Sequence, residues 1–206
     1  MNVELIDTMG NDTRVVDAAR VSFDKRASEY TDEQNERLIK YLAKHEHYSP
    51  FGHCFASFHV KAPIFVRSQL VKHEYLRMNE VSRRYVDTPP EFYYPEVWRG
   101  RPVDKKQGSS GVLPIDDLGY LQFINHAEEI YSELLHFGVA PEQARMVLPQ
   151  SMYTEWYWSG SLDAFANMYN LRAKPDAQEE TRFIATEIGR LMEKQFPISW
   201  KALTNG

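Results

Sequence analysis

Residues 62–85 read APIFVRSQLVKHEYLRMNEVSRRY, and this stretch is the best starting point for interpreting the chain. It is rich in cations, although the whole chain of 206 residues has a net charge of −5. The cations are Arg67, Lys72, Arg77, Arg83 and Arg84, and the acids are only Glu74 and Glu80. A solvated helix face with ordinary surface ion pairs is the simplest explanation. However, so many donors are costly to bury without anionic partners, so the stretch favours a site for a small anion such as a nucleotide phosphate.

Composition and charge narrow the class of protein. Hydrophobic residues make up 43% of the chain and aromatic residues 13%, which is typical of a globular protein. No run approaches the roughly 18 apolar residues of a membrane span, and the N-terminus lacks a secretory signal. The acidic balance argues against a nucleic-acid polymer as partner. With one cysteine, Cys54, no internal disulfide is possible. We expect a single domain over residues 1–206 in the cytoplasm, without membrane association.

Hydrophobic periodicity and turn residues predict an α+β fold, helix-rich with a small, mostly antiparallel sheet. Predicted strands cover residues 2–6, 53–61 and 149–159. Predicted helices cover residues 14–22, 63–73, 141–147, 161–169 and 177–196, with a long helix from Asp116 or Asp117 to about residue 137. Another helix starts after Thr31, where Gln34 completes a capping-box pattern, and ends near residues 45–48.

Some details of this prediction concern single positions and connecting segments. Thr13 is expected to cap the first helix, and Phe23 to point inward. Pro63 is expected in the first turn of its helix. Residues 77–85 are expected to be loop and extended chain. Residues 99–114, RGRPVDKKQGSSGVLP, are expected to form an exposed, mobile loop.

Familiar catalytic signatures are missing from the sequence. There is no phosphate-binding glycine-rich loop, no dinucleotide fingerprint and no nucleophile elbow. Cys54 lies within a predicted strand, a position more typical of a packed side chain than of a nucleophile. His45, His47, His53 and His59 suggest a metal, but their spacing matches no ligand motif, so we expect no metal site.

The stretch at 62–85 resembles the signature of the flavin-dependent thymidylate synthases, in which Arg-His-Arg and a serine precede Asn-Glu-x-Ser-x-Arg. Three further blocks are similar and follow the family's order. They are VDAARVSFDK near residue 20, EQARMVLPQSMYTEWYW from residue 142 and NLRAKPDAQEETR from residue 170. The resemblance covers nearly the whole chain. It implies an α+β domain that assembles as a homotetramer, with active sites built from several subunits.

The resemblance implies reductive methylation of dUMP to dTMP. Methylenetetrahydrofolate would supply the carbon, FAD would carry the hydride and NADPH would reduce the flavin. Such an enzyme needs no cysteine thiolate, in agreement with the absence of a convincing one here.

The resemblance also assigns residues. The positions that match the dUMP site are Gln69, Glu80, Ser82, Arg83, Arg84, Arg145 and Arg172. Arg84 and Arg145 suit the phosphate, and Arg172 suits charge that develops on the pyrimidine, so Arg172 is the expected catalytic residue. Ser82, the second expected catalytic residue, is placed beside the base, in an orienting role. The positions that match the FAD site are His47, Ser49, Lys72, His73, Asn167 and Leu171.

The departures from the family concentrate at flavin positions. Lys72 and Glu74 replace the two arginines of Arg-His-Arg, and Arg77 replaces the following serine. The other departures are Gly52 for an acid, Ser161 for an asparagine, Asp163 for an arginine and Asp176 for a histidine. Two other functions therefore stay open at this point. One is a folate-dependent pyrimidine-nucleotide hydroxymethyltransferase without flavin redox, and the other is a non-catalytic nucleotide-binding relative.

Overall fold

The computed structural model describes residues 1–104 and 107–204, and the elements named here lie in those two ranges. The strands are β1 (Asn2–Met9), β2 (Phe55–Pro63), β3 (Leu76–Glu80), β4 (Arg99–Gly100), β5 (Ser110–Val112) and β6 (Tyr153–Ser161). The α-helices are α1 (Asp12–Arg20), α2 (Asp32–Lys44), α3 (Ile64–Leu70), α4 (Tyr120–His136), α5 (Pro141–Ala144), α6 (Leu162–Arg172), α7 (Glu179–Gln195) and α8 (Pro197–Thr204). No helix in these ranges is both long enough and apolar enough to span a bilayer.

The main sheet has the order β1-β2-β6-β3, and every neighbouring pair is antiparallel. Side chains alternate between the two faces of the sheet, so β2 and β6 bury Phe58, Val60, Trp156 and Trp158 on the inner face. The register places Phe58 opposite Trp158. The predicted α+β class with a small antiparallel sheet is confirmed.

Helices cover the inner face of the sheet. One continuous core combines the apolar residues of β2 and β6 with those of α1, α2, α6, α7 and α8. Phe165 of α6 packs edge-on against Phe58 and Trp158, with ring centroids 5.0 and 5.6 Å apart. Cys54 is fully buried in this core, and burial raises its pKa to about 11, so the thiol stays protonated near neutral pH.

Several local predictions were wrong, each because of an interaction beyond the pattern considered. The first helix is capped by Asn11, not Thr13, since the Asn11 side chain accepts a hydrogen bond from the Arg14 N–H at 3.0 Å. Phe23 is 78% exposed, because a 3₁₀ turn follows α1 and leads the chain away from the core. Pro63 ends β2 and precedes α3 rather than lying in its first turn.

Two regular elements escaped prediction. Residues 76–80 form β3, because antiparallel pairing with β6 stabilises a segment whose own composition is polar. Helix α8 is capped from far away in the chain. Asp12 accepts hydrogen bonds from the N–H groups of Ile198 and Ser199 at 3.0 and 2.9 Å.

The segment at 99–114 is not purely loop. Strands β4 and β5 pair antiparallel within it, and Arg99 forms ion pairs with Glu179, at 3.0 Å, and with Glu180. The exposed character is confirmed at Val103 and throughout β5. Lys105 and Lys106 lie outside the described residues.

Gly160 allows β3 to approach β6 closely. A Cβ atom at this position would contact the Leu76 side chain and lie 2.9 Å from the backbone oxygen of Tyr75. We expect Gly160→Ala to lower the free energy of unfolding by about 1–3 kcal/mol through overpacking. Gly52→Ala is the control, because nothing lies within 4 Å of the added carbon, and its effect should stay within about 0.5 kcal/mol. Urea denaturation of both variants measures this, and equal stabilities would contradict the expectation.

Candidate active site

A cleft of about 460 Å³ lies at the end of β3 and contains five of the predicted dUMP residues. These are Glu80, Ser82, Arg83, Arg84 and Arg145, and we call the site the arginine cleft. Glu80 is the last residue of β3, and the segment that follows contains Ser82, Arg83 and Arg84. Arg145 lies in a 3₁₀ turn (Arg145–Val147). Helix α4 packs against this 3₁₀ turn. The arrangement unites side chains that are more than sixty positions apart in the sequence.

The arginine cleft has positive charge without an internal counter-ion. Among the described residues, no carboxylate lies within 4.0 Å of the guanidinium groups of Arg83, Arg84 or Arg145. Glu80 does not neutralise them, because it pairs with Arg67 and accepts a hydrogen bond from the Thr154 hydroxyl at 2.9 Å. Forked, uncompensated guanidinium groups suit a phosphate.

Within residues 1–104 and 107–204, the three arginines donate hydrogen bonds only to neutral acceptors. Arg83 donates to the Thr88 carbonyl, and Arg145 Nε donates to the Glu142 carbonyl at 3.3 Å. The backbone N–H and Nε of Arg84 both donate to Ser82 Oγ at 3.3 Å. Ser82 therefore accepts hydrogen bonds from a cation and has no adjacent base, so the geometry fits an orienting hydroxyl rather than a nucleophile.

A second group, formed by Gln69, His73 and Arg172, lies outside the arginine cleft. Arg172 Nε donates to His73 Nε2 at 2.9 Å, and Arg172 Nη2 donates to the backbone oxygen of Gln69 at 3.2 Å. Burial, and secondly the Arg172 guanidinium, lowers the pKa of His73 to about 4. The imidazole is therefore neutral near pH 7, with its proton on Nδ1, and holds Arg172 in place.

Behind Gln69 runs a chain of hydrogen bonds that sequence reasoning missed. Gln69 Nε2 donates to Gln178 Oε1, and Gln178 Nε2 donates to Glu180 Oε2 at 3.0 Å. Arg99 and the Tyr93 hydroxyl donate to the other oxygen of Glu180. The block from residue 170 contains both Gln178 and Glu180, but their connection to Gln69 depends on tertiary structure.

A third group of residues lines another cleft of about 500 Å³, on the outer face of the sheet. It unites the predicted cofactor residue Ser49 with four positions at which the chain departs from the family. These are Gly52, Arg77, Ser161 and Asp163, and we call the site the Ser49 cleft. Tyr48, Phe55 and Tyr75 supply aromatic surface there.

The Ser49 cleft has groups that suit a flavin cofactor. Arg77 offers a cation for a pyrophosphate, and three aromatic rings offer apolar surface. Asp163 Oδ1 is buried without a hydrogen-bond partner among the described residues, so it is available to an N–H or O–H of a ligand. The residues present therefore fit a flavin, with Asp163 as an acceptor in place of the family's arginine.

The remaining predicted cofactor residues lie outside the Ser49 cleft. Lys72, beside His73, is exposed. Asn167 and Leu171 lie one and two turns after Asp163 on α6, and both are exposed. The exposed His47 ring lies 6.4 Å from the ring of His45 and 6.2 Å from that of Tyr41. In the described ranges, no group of three His, Cys, Asp or Glu residues has a metal-binding arrangement.

Comparison with known proteins identifies the family of this chain. Residues 4–198 match the family model described as thymidylate synthase complementing protein. The chain is 40% identical to the flavin-dependent thymidylate synthase of Kosmotoga olearia, over 98% of this chain and 90% of that one. It is 41% identical to the enzyme of the same name from Thermus thermophilus, over 97% and 74%.

A solved structure with the same fold is the UMP/dUMP methylase PolB of Streptomyces cacaoi, bound to 5-Br dUMP. The two chains are 31% identical, with a TM-score of 0.87 over 99% of this chain and 94% of that one. Four ordered sequence blocks, the shared fold and identities near 40% over nearly the full length all lead to one conclusion. This chain belongs to the family of flavin-dependent thymidylate synthases.

Proposed function

We propose that this chain converts dUMP to dTMP by reductive methylation, with methylenetetrahydrofolate as carbon donor and NADPH as reductant of bound FAD. The observation that carries the proposal is the arginine cleft. It gathers five residues that match the family's dUMP site. Three of them are arginines whose guanidinium groups have no acidic partner in the part of the chain that the structure describes. The backbone N–H groups of Ser82 and Arg83, which have no acceptor in the described ranges, add donors for the phosphate.

Arg172 is the proposed catalytic residue. The pyrimidine must carry enolate-like negative charge, on O4 or O2, for C5 to attack the methylene carbon, and a fixed guanidinium stabilises that charge. His73 and the Gln69 backbone oxygen each accept one hydrogen bond from Arg172. The other N–H groups of the guanidinium are left for the substrate. Bound flavin supplies the hydride chemistry. The protein groups bind, orient and polarise.

The Ser49 cleft is the proposed core of the FAD site. Arg77 would face the pyrophosphate, and Asp163 would accept from an N–H or O–H of the cofactor. His47, Lys72, His73, Asn167 and Leu171 remain proposed FAD residues on the family match.

The positions of the three groups support a multi-subunit site, as expected for the proposed homotetramer. Arg77 and Glu80 are three residues apart on β3, so their side chains point to opposite faces of the sheet. The Ser49 cleft and the arginine cleft therefore lie on opposite faces of one chain, and Gln69, His73 and Arg172 line neither. We therefore propose that a complete site is built from residues of several copies. We also propose that residues 1–206 act as one catalytic domain in the cytoplasm.

Turnover by the purified protein tests this function. With dUMP, methylenetetrahydrofolate, FAD and NADPH, we expect dTMP by mass spectrometry, and UMP is assayed beside dUMP. Arg172→Ala should lower turnover by at least about 10²-fold, because it removes the stabilising charge. Arg190→Ala is the control, since Arg190 is on the surface and pairs only with Glu187. A hydroxymethylated product formed without FAD, or binding without turnover, would replace this proposal by one of the two alternatives.

Flavin binding tests the Ser49 cleft separately. Arg77→Ala should weaken FAD binding about tenfold, the loss expected for one charge-assisted contact. The measurement is quenching of FAD fluorescence on titration with protein. Arg37 is an exposed residue of α2 and does not line the cleft, so Arg37→Ala removes the same charge and should leave the affinity unchanged. Equal affinities for both variants would show that the cleft does not hold the pyrophosphate.

The pKa of His73 predicts a pH dependence of stability. Its folded value of about 4 lies below the ordinary value of 6.5, so the unfolded chain binds more protons between these limits. The contribution of neutral His73 to the free energy of unfolding is complete above about pH 6.5 and is lost as the pH falls toward 4. As the pH is lowered from 6.5 to 4, the free energy of unfolding of the wild type should therefore decrease relative to that of His73→Gln. Parallel curves for the two proteins would contradict the shifted pKa.

A further inference from the structure

The hydrogen-bond chain behind Gln69 has a fixed direction. Glu180 is buried and receives donors from Arg99, Tyr93 and Gln178. Burial raises the pKa of the Glu180 carboxyl. The hydrogen bonds from Arg99, the Glu180 backbone and Gln178 lower it by a larger amount, so the pKa lies below its ordinary value. Glu180 is therefore a carboxylate, which can only accept hydrogen bonds.

This fixed acceptor sets the orientation of both amides. Gln178 must turn its NH₂ group toward Glu180, so its oxygen faces Gln69. Gln69 must then turn its own NH₂ toward Gln178, which leaves its Oε1 for another partner. Among the described residues, no group donates to Gln69 Oε1. The opposite orientation of the two amides would place an NH₂ group against an NH₂ group or an oxygen against the carboxylate.

We propose that Glu180, acting through Gln178, makes Gln69 Oε1 a permanent hydrogen-bond acceptor for N3–H of uracil, and that this orientation selects uracil over cytosine. The inference rests on the proposed function, since it takes Gln69 to face the pyrimidine of dUMP. Gln178 and Glu180 are then positioning residues that do not touch the substrate. The substrate class is a uracil nucleotide.

The selection follows from the edge of each base. Uracil presents N3–H between two carbonyl oxygens, so Gln69 can accept from N3 while Arg172 donates to O2 or O4. Cytosine has a lone pair at N3 and an NH₂ group at C4. If cytosine took the same position, the lone pair of N3 would face the Gln69 oxygen. If Arg172 lies at the C4 side of the base, the cytosine NH₂ group would also face the guanidinium. An unpaired buried acceptor is costly, which makes a fixed amide an effective filter.

Substitution of Gln178 and Glu180, which we call the relay residues, tests the proposal. Binding of dUMP and dCMP to the full-length protein is measured by isothermal titration calorimetry. Wild type should prefer dUMP. In Glu180→Gln a neutral amide can either donate to or accept from Gln178, so both amides can turn over, and the preference should fall about tenfold or more. Glu179→Gln is the matched control. This variant also removes a negative charge that pairs with Arg99, but the Glu179 side chain has no hydrogen bond to the Gln178 amide in the described ranges, so the preference should persist.

The double variant Gln178→Glu/Glu180→Gln provides a rescue. A carboxylate at position 178 can only accept from Gln69, so the orientation is restored with the overall charge unchanged, and the preference for dUMP should return. A merely structural role for Glu180 would not give this recovery. If Glu180→Gln fails to fold, Gln178→Met also frees Gln69 to rotate and should lower the preference.

The outcomes separate this inference from the proposed function. If wild type binds dUMP but the preference is the same in all variants, the relay does not set base selection and the inference fails alone. If wild type binds dCMP as tightly as dUMP, the inference also fails, while a nucleotide site remains. If wild type binds neither nucleotide, both the inference and the proposed function are overturned.

Discussion

The pairing of β3 with β6 is the constraint on which the two clefts depend. β6 is a central strand of the sheet, and its Gly160 leaves room for Leu76 and the backbone of Tyr75. β3 then runs beside it for only five residues. One end of β3 brings Arg77 to the Ser49 cleft, and the other end brings Glu80 to the arginine cleft. With a rise of about 3.3 Å per residue, β3 fixes the separation of these two positions along the sheet at roughly 10 Å.

Charge is distributed unevenly between the sites. Arg67 is neutralised by Glu80, and Arg99 by Glu179 and Glu180, so these arginines support the structure. Arg83, Arg84 and Arg145 have no such partner in the described part of the chain. The acidic chain thus concentrates unpaired positive charge at one cleft, which favours binding of an anion while the net charge of −5 disfavours nucleic acid.

The sequence predicted features that depend on short-range chemistry. The capping box of Thr31 and Gln34 is present, because both hydrogen bonds join residues three positions apart. The density of arginine near residue 83 correctly indicated where positive charge would gather. Features that join distant segments were not predictable in this way. The strand β3 forms because β6 is beside it, and the contact of Gln69 with Gln178 joins residues 109 positions apart.

Asp12 illustrates what such a distant contact implies for folding. Its carboxylate caps α8 across 186 positions of chain, and the same residue opens α1. Closing so large a loop is entropically unfavourable, so this cap forms only after the intervening sheet and helices have brought its partners together. Helix α8 has just eight residues, too few for a stable helix in isolation. Asp12 therefore couples the completion of α8 to the assembly of the rest of the core, and α8 is a late element in the order of folding.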